Sequence, residues 1–561
     1  MPPEHDAAAP VVTANLGEHL TRVAERLGDE PAVVCLKGTG SRLTCTSRSF
    51  RDLDRAADRL AHAFARRGIG KGVRTILMVR PSFELFAVMF ALLRTGAVPV
   101  MIDPGMGRQK LVDNLASVEA GAYIGIPLAQ ALRVLSPGRF STVRTSVTVG
   151  RRLFWGGPTL LQLLESEPWR PFPPEPTSPG DMAAIFFTSG STGPPKGVVY
   201  EHGMFDTMGG YLQTHFGYQE GDVDLATFPI FSLLDVVLGI TSVIPDMDPT
   251  KPGRADPAMI AEALTTQRCT SMYASPALLE NLARWGRETG ARLPTLRRIV
   301  TAGAPARPDL LEALHAMLPE DAVISTPYGA TEVLPVSTID SSEILAETRG
   351  LTEAGAGMCV GRPMAGVDVR IIGITDAPIG SWDEAVESPA GEIGEIAVHG
   401  ANVTKQYYRR PEATRLAKIP VEPGSADVWH RMGDVGHLDE HGRLWFCGRM
   451  AHRVETPSGT LFSIPCEAIF NAHPRVRRTA LVGIGDRGDQ RPAIVVELRK
   501  DDTGAGRDQL TRELLALGAA HAHTSGIRDV LYHPGFPVDV RHNAKIRRED
   551  LAVWAAGELG A

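Results

Sequence analysis

The sequence contains few cysteines, and none of them is placed to form a metal or disulfide framework. Its 561 residues include only six cysteines, which lie far apart, with no CxxC pair and no Cys/His cluster. We therefore expect neither a disulfide scaffold nor a structural zinc site. Reduced thiols in the cytoplasm are the expectation that this cysteine usage supports.

Basic charge and long apolar runs are also lacking. The 58 Lys and Arg residues against 65 Asp and Glu residues give a formal net charge of −7. This balance argues against a nucleic-acid partner, which needs a basic face. The longest apolar run, Leu85–Leu93, has nine residues, whereas a membrane span needs about 20. The first ten residues lack the basic-then-apolar pattern of a signal peptide, so we expect a cytoplasmic protein without a membrane span.

What is present is the alternation of strands and helices typical of an α/β fold. Short β-rich apolar runs such as Thr75–Val79 and Ala97–Ile102 read as strands. Between them, Ser82 is a suitable N-cap for a helix that continues to Leu93. The length is ample for more than one domain.

Two composition shifts suggest the domain organisation. The stretch Ser166–Gly180 has six prolines in fifteen residues and predicts an irregular spacer between two subdomains. The sequence changes character again after Gly448-Arg449. We therefore predict a large N-terminal domain of several subdomains at 1–449 and a small α+β C-terminal domain at 450–561.

The most informative segment is TSGSTGPPKG at 188–197, which follows an apolar strand. Its hydroxyls can donate to phosphate oxygens, its glycines allow close backbone approach, and its lysine adds a positive charge. It is not a Walker loop, because Pro195 stands where that motif needs glycine and Gly197 follows the lysine. A plain Ser/Gly turn is the alternative. The candidate phosphate ligands are Thr188, Ser189, Gly190, Ser191, Thr192, Gly193 and Lys196.

This loop resembles the signature loop of the adenylate-forming superfamily, which includes acyl-CoA synthetases, nonribosomal adenylation domains and luciferases. In that family the loop holds the β- and γ-phosphates of ATP while a carboxylate attacks the α-phosphorus. The resemblance implies that the large domain is of the adenylate-forming type and that the small domain is mobile. ATP and Mg²⁺ are the expected nucleotide and metal.

Further motifs follow in the order that the superfamily has them. Gly303-Ala304-Pro305 resembles its adenine-side turn, although alone it would read as a plain strand-to-helix turn. Tyr328-Gly329-Ala330-Thr331-Glu332 resembles the motif in which tyrosine stacks on adenine, threonine contacts the α-phosphate and glutamate holds Mg²⁺. One carboxylate suits Mg²⁺, which keeps most of its waters.

The resemblance assigns three more residues. Asp434 would accept hydrogen bonds from the ribose hydroxyls, and Arg449 would reach the same ribose. Lys545 would bridge the substrate carboxylate and the α-phosphate during adenylation. Without the resemblance, Asp434 would read as a turn former and Lys545 as part of a solvated basic face.

The sequence departs from the acyl-CoA synthetase pattern at three places that serve thioester formation. Ala451 replaces the hinge aspartate or lysine, and Glu455 replaces the lysine of the following loop. Ser232 stands where those enzymes usually have a histidine after Pro-x-Phe. The adenylation half of the pattern is intact.

In this respect the chain resembles the β-lactone synthetases of bacterial long-chain olefin biosynthesis. The segments FFTSGSTGPPKGVVYEHGMF, LGITSVIPDMDPTKPGRADP, YGATEVLP and FSIPCEA carry that resemblance. It implies an AMP-forming ligase that converts a long-chain 2-alkyl-3-hydroxy acid, a β-hydroxy acid, into a β-lactone. It also implies work alongside the β-lactone decarboxylase and the dehydrogenase of the olefin pathway.

Other functions remain open at this point. A long-chain fatty acyl-CoA synthetase or a fatty acyl-AMP ligase would share the first half-reaction, and a nucleotide-binding regulator would share only the binding. For the acyl pocket we single out Phe231, Ser232 and Leu234 within the apolar stretch 228–244, which could equally be core. The base for the 3-hydroxyl cannot be assigned from the sequence.

Overall fold

The structure is a computed structural model that describes residues 15–187, 195–228, 232–499, 502, 504–538 and 546–560. The described chain forms two compact units. The first comprises the residues up to Ile244 together with Tyr407–Arg409, and the second comprises Pro245–Gln406 and the residues from Arg410 onward.

The first unit alternates strands and helices through most of its length, as the sequence predicts. Its helices are α1 (Leu16–Leu27), α2 (Phe50–Ala65), α3 (Phe83–Arg94), α4 (Arg108–Ser117), α5 (Pro127–Val134), α6 (Leu160–Ser166), α7 (His202–Thr214) and α8 (Ser232–Val237). Its strands are β1 (Pro31–Lys37), β2 (Thr44–Ser49), β3 (Arg74–Met78), β4 (Val98–Met101), β5 (Ala122–Gly125), β6 (Thr145–Thr148), β7 (Met182–Phe187), β8 (Gly197–Glu201), β9 (Val223–Ala226) and β10 (Thr241–Ile244).

Two sheets organise this unit. One has the strand order β6-β5-β3-β4-β7-β8, parallel except for the antiparallel pair β7–β8. The other runs β9-β10-β1-β2, with only the last pair antiparallel. Helix α3 is buried from Leu85 to Arg94, which explains its continuous apolar sequence.

The proline-rich spacer adopts no helix or strand between the end of α6 and the start of β7. This outcome agrees with the sequence, because proline fixes φ and removes a backbone donor. The spacer is nevertheless anchored to the first unit. The backbone N–H of Phe172 donates to Asp58 at 3.1 Å, and that of Glu175 donates to the carbonyl of Arg94 at 2.7 Å.

The second unit is richer in strands. Its helices are α9 (Pro257–Thr266), α10 (Pro276–Thr289), α11 (Pro308–His315), α12 (Ser341–Glu343), α13 (Arg349–Glu353), α14 (Pro411–Ala417), α15 (Ser463–Asn471), α16 (Arg507–Ala519) and α17 (Arg548–Leu559). Its strands are β11 (Ser271–Ala274), β12 (Arg298–Thr301), β13 (Val323–Ala330), β14 (Val333–Asp340), β15 (Met358–Pro363), β16 (Val367–Ile372), β17 (Gly394–Gly400), β18 (Lys418–Pro420), β19 (Val428–Leu438), β20 (Leu444–Arg449), β21 (Val454–Thr456), β22 (Gly459–Leu461), β23 (Val476–Ile484), β24 (Arg491–Leu498) and β25 (Asp529–Tyr532).

The main sheet of the second unit has the order β16-β17-β19-β20-β15-β14-β13-β12-β11, and β18 pairs with β19 at its side. Strands β11, β12 and β13 are parallel, and the other neighbours are antiparallel. This mixture places the three parallel strands next to the antiparallel strands that carry the later motifs.

The chain after residue 450 has sheets and apolar clusters of its own. Strands β23, β24 and β25 form a three-stranded sheet, and β21 pairs with β22. One cluster contains Phe470, Ile494 and Leu510, and another contains Val482, Val495 and Leu551. The predicted domain boundary at 449 lies inside the second unit, and it stays a prediction together with the mobility of the small domain.

Within the part of the chain that the structure describes, we find no helix with the length and apolar character needed to cross a membrane.

Candidate active site

The YGATE motif lies at the tip of the β13–β14 hairpin. Ala330 pairs with Val333, so Thr331 and Glu332 form a two-residue turn between the strands. At Gly329 a Cβ atom would lie 2.7 Å from the Val333 carbonyl oxygen. Glycine is therefore needed here for close backbone approach, and the hairpin presents the threonine and the glutamate at its end.

A segment some seventy residues later holds this tip in place. Both the backbone N–H and the hydroxyl of Thr404 donate to the Glu332 carbonyl, each at 2.9 Å. Val403 forms a β-bridge with Val333, and Asn402 Nδ2 donates to the Pro335 carbonyl at 2.7 Å. The backbone position of Glu332 is therefore fixed by tertiary contacts.

A buried lysine completes this arrangement. Lys418, at the start of β18, is 3% exposed, and its Nζ donates to the Thr404 hydroxyl at 3.1 Å. Burial lowers its pKa to about 7, and the nearby charge of Glu332 acts in the opposite direction. Our sequence reasoning missed Lys418. A lysine between Ala417 and Ile419, at the start of an apolar strand, was the available signal.

The residues around Glu332 fit a magnesium ion that arrives with a nucleotide. Glu332 is half-buried and supplies one hard oxygen ligand. The described residues contain no group of three or more His, Cys, Asp or Glu side chains that could hold a metal by themselves. Phosphate oxygens would therefore have to complete the coordination.

The amino acids predicted to bind the ribose, Asp434 and Arg449, lie next to Tyr328, which is predicted to stack on adenine. The Tyr328 hydroxyl donates to Asp434 Oδ2 at 2.6 Å, and Arg449 Nη1 lies 3.1 Å from Asp434 Oδ1. Asp434 on β19 faces Arg449 on β20 in register and is 3% exposed. Burial and the Asp434 carboxylate raise the pKa of Tyr328 well above its usual value, so its hydroxyl stays a donor.

The Gly303-Ala304-Pro305 turn lies at the same sheet edge as this motif. It follows β12, which pairs in parallel with β13, with Val300 opposite Ser325. Parallel neighbours end at one edge, which places the turn beside the strand end that carries Tyr328. Gly303 has φ +91°, a conformation that favours glycine.

The phosphate-loop lysine belongs to the first unit. Strands β7 and β8 pair with Phe187 opposite Gly197, and Lys196 lies directly before β8. Its Nζ is 4.8 Å from the ring centroid of the buried Tyr407, a cation–π contact that fixes the side chain. The Tyr408 N–H donates to the Gly197 carbonyl at 2.7 Å. Our sequence reasoning did not single out Tyr407.

Several predicted residues lie outside the described part of the chain, and their assignments stay predictions. They are Thr188, Ser189, Gly190, Ser191, Thr192, Gly193, Phe231 and Lys545.

The predicted acyl segment contains an unexpected pair of buried acids. All six residues of α8 are buried, including Ser232 and Leu234. Asp235 in this helix is 4% exposed, and Asp224 on β9 is 2% exposed. Burial, together with the charge of Asp224, raises the pKa of Asp235 well above its usual value. The Tyr218 hydroxyl donates to Asp224 Oδ1 at 3.4 Å. Motif comparison gave no signal for this pair.

The structure shows the surroundings of Ala451 and Glu455, two positions at which the sequence differs from the acyl-CoA synthetase pattern. Ala451 is exposed in a 3₁₀ turn at Met450–His452. Glu455 accepts from Arg453 Nε at 2.7 Å, and Arg453 Nη2 donates to Asp376 at 2.9 Å. An acid paired with a buried arginine thus stands where the acyl-CoA synthetase pattern leads us to expect a lysine.

Fold and motifs together define an adenylate-forming ligase, and the chain belongs to the AMP-binding enzyme family, whose model matches residues 20–408. It is 48% identical over 547 residues to the olefin β-lactone synthetase of Xanthomonas campestris pv. campestris, with 97% of each chain covered. It is also 48% identical over 552 residues to the olefin β-lactone synthetase of Stenotrophomonas maltophilia, with 97% of this chain and 98% of that one covered.

The fold is likewise that of solved members. The amide bond synthetase McbA from Marinactinospora thermotolerans superimposes with a TM-score of 0.77 at 23% identity, covering 96% of this chain and 99% of that one. The α/β fold class, the ligase class and the resemblance to β-lactone synthetases are therefore confirmed. Adenylate-forming enzymes use ATP.

Proposed function

We propose that this chain is an ATP-dependent β-lactone synthetase acting on a long-chain 2-alkyl-3-hydroxy acid. The observation that carries the proposal is the 48% identity, over nearly the full length, to two proteins named olefin β-lactone synthetase. The three departures at Ser232, Ala451 and Glu455 agree with it, because each removes a group that serves thioester formation in acyl-CoA enzymes.

The reaction has two steps. A carboxylate oxygen of the substrate attacks the α-phosphorus of ATP, and pyrophosphate leaves. The 3-hydroxyl oxygen then attacks the acyl carbon and expels AMP, which closes the four-membered ring as the hydroxyl proton passes to a base. Attack within one molecule needs no external thiol, and orientation alone can lower the barrier by about 7–11 kcal/mol.

Each motif has a part in the first step. Tyr328 and the turn at 303–305 would contact adenine, and Asp434 with Arg449 would bind the ribose. The phosphate loop and Lys196 would hold the β- and γ-phosphates, and Thr331 and Lys545 would contact the α-phosphate. Mg²⁺ on Glu332 would offset the charge of the phosphates. The rigid backing of Glu332 and Asp434 supports these roles, because preorganised polar groups stabilise developing charge effectively.

A product assay tests the function directly. The purified chain is incubated with ATP, Mg²⁺ and a synthetic 2-alkyl-3-hydroxy acid, with and without CoA, and products are identified by mass spectrometry. We expect β-lactone, AMP and pyrophosphate without CoA. A CoA-dependent thioester as main product would instead assign a long-chain acyl-CoA synthetase, and an accumulating acyl-adenylate would assign an acyl-AMP ligase.

A variant pair separates catalysis from simple nucleotide binding. We expect Lys545→Ala to abolish pyrophosphate release while nucleotide binding survives. Arg547→Ala is the matched control, since this nearby basic side chain is exposed and pairs with Asp550 at 3.2 Å. Unchanged release in Lys545→Ala would show that the assignment is wrong.

The pathway context is part of the proposal. The product would be consumed by a β-lactone decarboxylase and the substrate supplied by a dehydrogenase, and the chain would work beside both.

A further inference from the structure

One surface of the first unit combines exposed apolar side chains with arginine. Residues 127–161 contain five arginines and no Asp or Glu, although the chain as a whole carries a net charge of −7. The same stretch exposes five large apolar side chains. These are Leu128 (75%), Leu135 (67%), Leu153 (51%), Phe154 (76%) and Leu161 (62%).

The fold gathers the two ends of this stretch at one edge of the six-stranded sheet, whereas its middle lies at the opposite edge, where the Arg144 N–H donates to the Gly121 carbonyl at 2.9 Å. Strands β5 and β6 are parallel neighbours, so α5, which follows β5, and the loop at 149–157, which follows β6, leave from the same edge. The Val149 N–H donates to the Gly125 carbonyl at 2.9 Å, and Gln130 Nε2 donates to the Val147 carbonyl at 2.8 Å. A bridge between Thr148 and Thr159 brings the start of α6 to the same place.

The arginines are mostly available to an anionic partner. Arg139 pairs with Asp113 at 2.9 Å. Among the residues that the structure describes, no carboxylate pairs with Arg151 or Arg152; both are exposed, and Arg152 Nη1 donates to the Gly157 carbonyl at 2.8 Å. Arg133 is half-buried, donates to Gln130 at 2.9 Å and lies over the Tyr123 ring. Two exposed positive charges, those of Arg151 and Arg152, thus directly precede Leu153 and Phe154.

We propose that this edge, formed by the start of α5, the loop at 149–157 and the start of α6, docks on the surface of an anionic phospholipid bilayer. Exposed Phe and Leu side chains can insert at the level of the headgroups, while the arginines face anionic lipids. The negatively charged surface of such a bilayer complements a segment that has arginines and no acidic residues. The inference does not depend on the proposed function.

Vesicle co-sedimentation of the full chain tests the proposal. The probe is vesicles of phosphatidylcholine with roughly 30% phosphatidylglycerol, compared with pure phosphatidylcholine, at about 0.1 M and about 1 M salt. We expect binding to the anionic vesicles that falls at least tenfold without the anionic lipid and weakens strongly at high salt. No binding, or equal binding to both vesicles, would overturn the proposal.

Variants place the binding on this edge. The double variant Leu153→Ser, Phe154→Ser should lower the affinity about tenfold or more, and Arg151→Ser, Arg152→Ser should lower it about fivefold per arginine. The matched control is Val386→Ser, Val553→Ser, which removes two apolar side chains that are 74% and 77% exposed outside the segment. Equal losses in the control and the segment variants would refute the assignment to this edge, and so would unchanged binding in both segment variants.

Discussion

Two buried acidic regions of this chain, one in each compact unit, have opposite electrostatics. In the second unit Asp434 is 3% exposed, yet Arg449 lies 3.1 Å away and Tyr328 donates to it at 2.6 Å. In the first unit Asp235 is 4% exposed, and the charge that acts on it comes from a second acid, Asp224. The first arrangement favours a charged carboxylate, and the second favours a protonated one.

This contrast explains why one carboxylate belongs to a recognisable sequence motif and the other does not. A carboxylate that must stay charged needs specific partners at fixed positions, and those partners form a pattern along the sequence. A carboxylate that is held neutral by burial needs only apolar surroundings, which look like any other core. Four substitutions test this contrast between the two regions.

The largest effect is expected at Asp434. Asp434→Ala removes the proposed ribose ligand and the carboxylate that pairs with Arg449. We therefore expect the rate of ATP–pyrophosphate exchange to fall by about 10²–10³-fold, the usual cost of removing one preorganised polar group from an active site. Asp427→Ala is the control, because this exposed acid pairs only with His399 in the described region. A similar exchange rate in both variants would remove the distinction between the regions.

The next largest effect is expected at Lys418, which helps to hold the backbone of Glu332 in position. Lys418→Met removes the donor to Thr404, and we expect the apparent affinity for Mg·ATP or the exchange rate to fall about 10–100-fold, the usual cost of losing a group that orients a metal ligand. Lys418→Arg should recover part of this loss. If Lys418→Met exchanges pyrophosphate as fast as the parent chain, the lysine does not position the turn.

The same substitution should act on stability in the opposite direction, with a defined pH dependence. The folded pKa of Lys418, about 7, is below its ordinary value of 10.5, so the unfolded chain binds the additional proton between these values. The lysine therefore destabilises the fold most at and below pH 7 and least near pH 10. Urea unfolding should show that Lys418→Met gains stability at pH 7 and that the gain shrinks as the pH rises.

A smaller effect is expected at the acidic pair. Because the folded pKa of Asp235 is raised above its ordinary value of 3.8, the stability of the parent chain falls as the pH rises above that value. Asp235→Asn should therefore stabilise the chain at pH 8, by about 1 kcal/mol on the usual scale of single substitutions, and should change little near pH 4. Asp222→Asn, at a half-buried position in the same region, is the control. A gain that is equal at both pH values would contradict the raised pKa.

The smallest effect is expected for an exposed pair. Arg487 pairs with Asp376 at 3.0 Å, but the two side chains are 48% and 58% exposed. Arg487→Ala should lower stability by no more than about 0.5 kcal/mol and leave pyrophosphate exchange unchanged. A loss comparable to that of Asp434→Ala would mean that pairing alone, without burial, explains the first region.

The α/β class, the order of the nucleotide motifs and the irregular spacer could be predicted from the amino-acid sequence alone. These features depend on local patterns, such as apolar runs of strand length, prolines at 166–180, and glycines and hydroxyls at fixed spacings. The sequence also singles out Tyr328, Glu332, Asp434 and Arg449 as candidate site residues, because each belongs to a short contiguous motif.

Which of these residues are in contact, and which other residues hold them in position, depends on the tertiary structure. The contact of Tyr328 with Asp434 spans 106 positions, and the hydrogen bonds from Thr404 to Glu332 span 72. Lys418 and Asp235 look like ordinary charged residues in the sequence. Their pKa shifts arise from burial by distant segments, and short-range patterns along the chain carry no information about that burial.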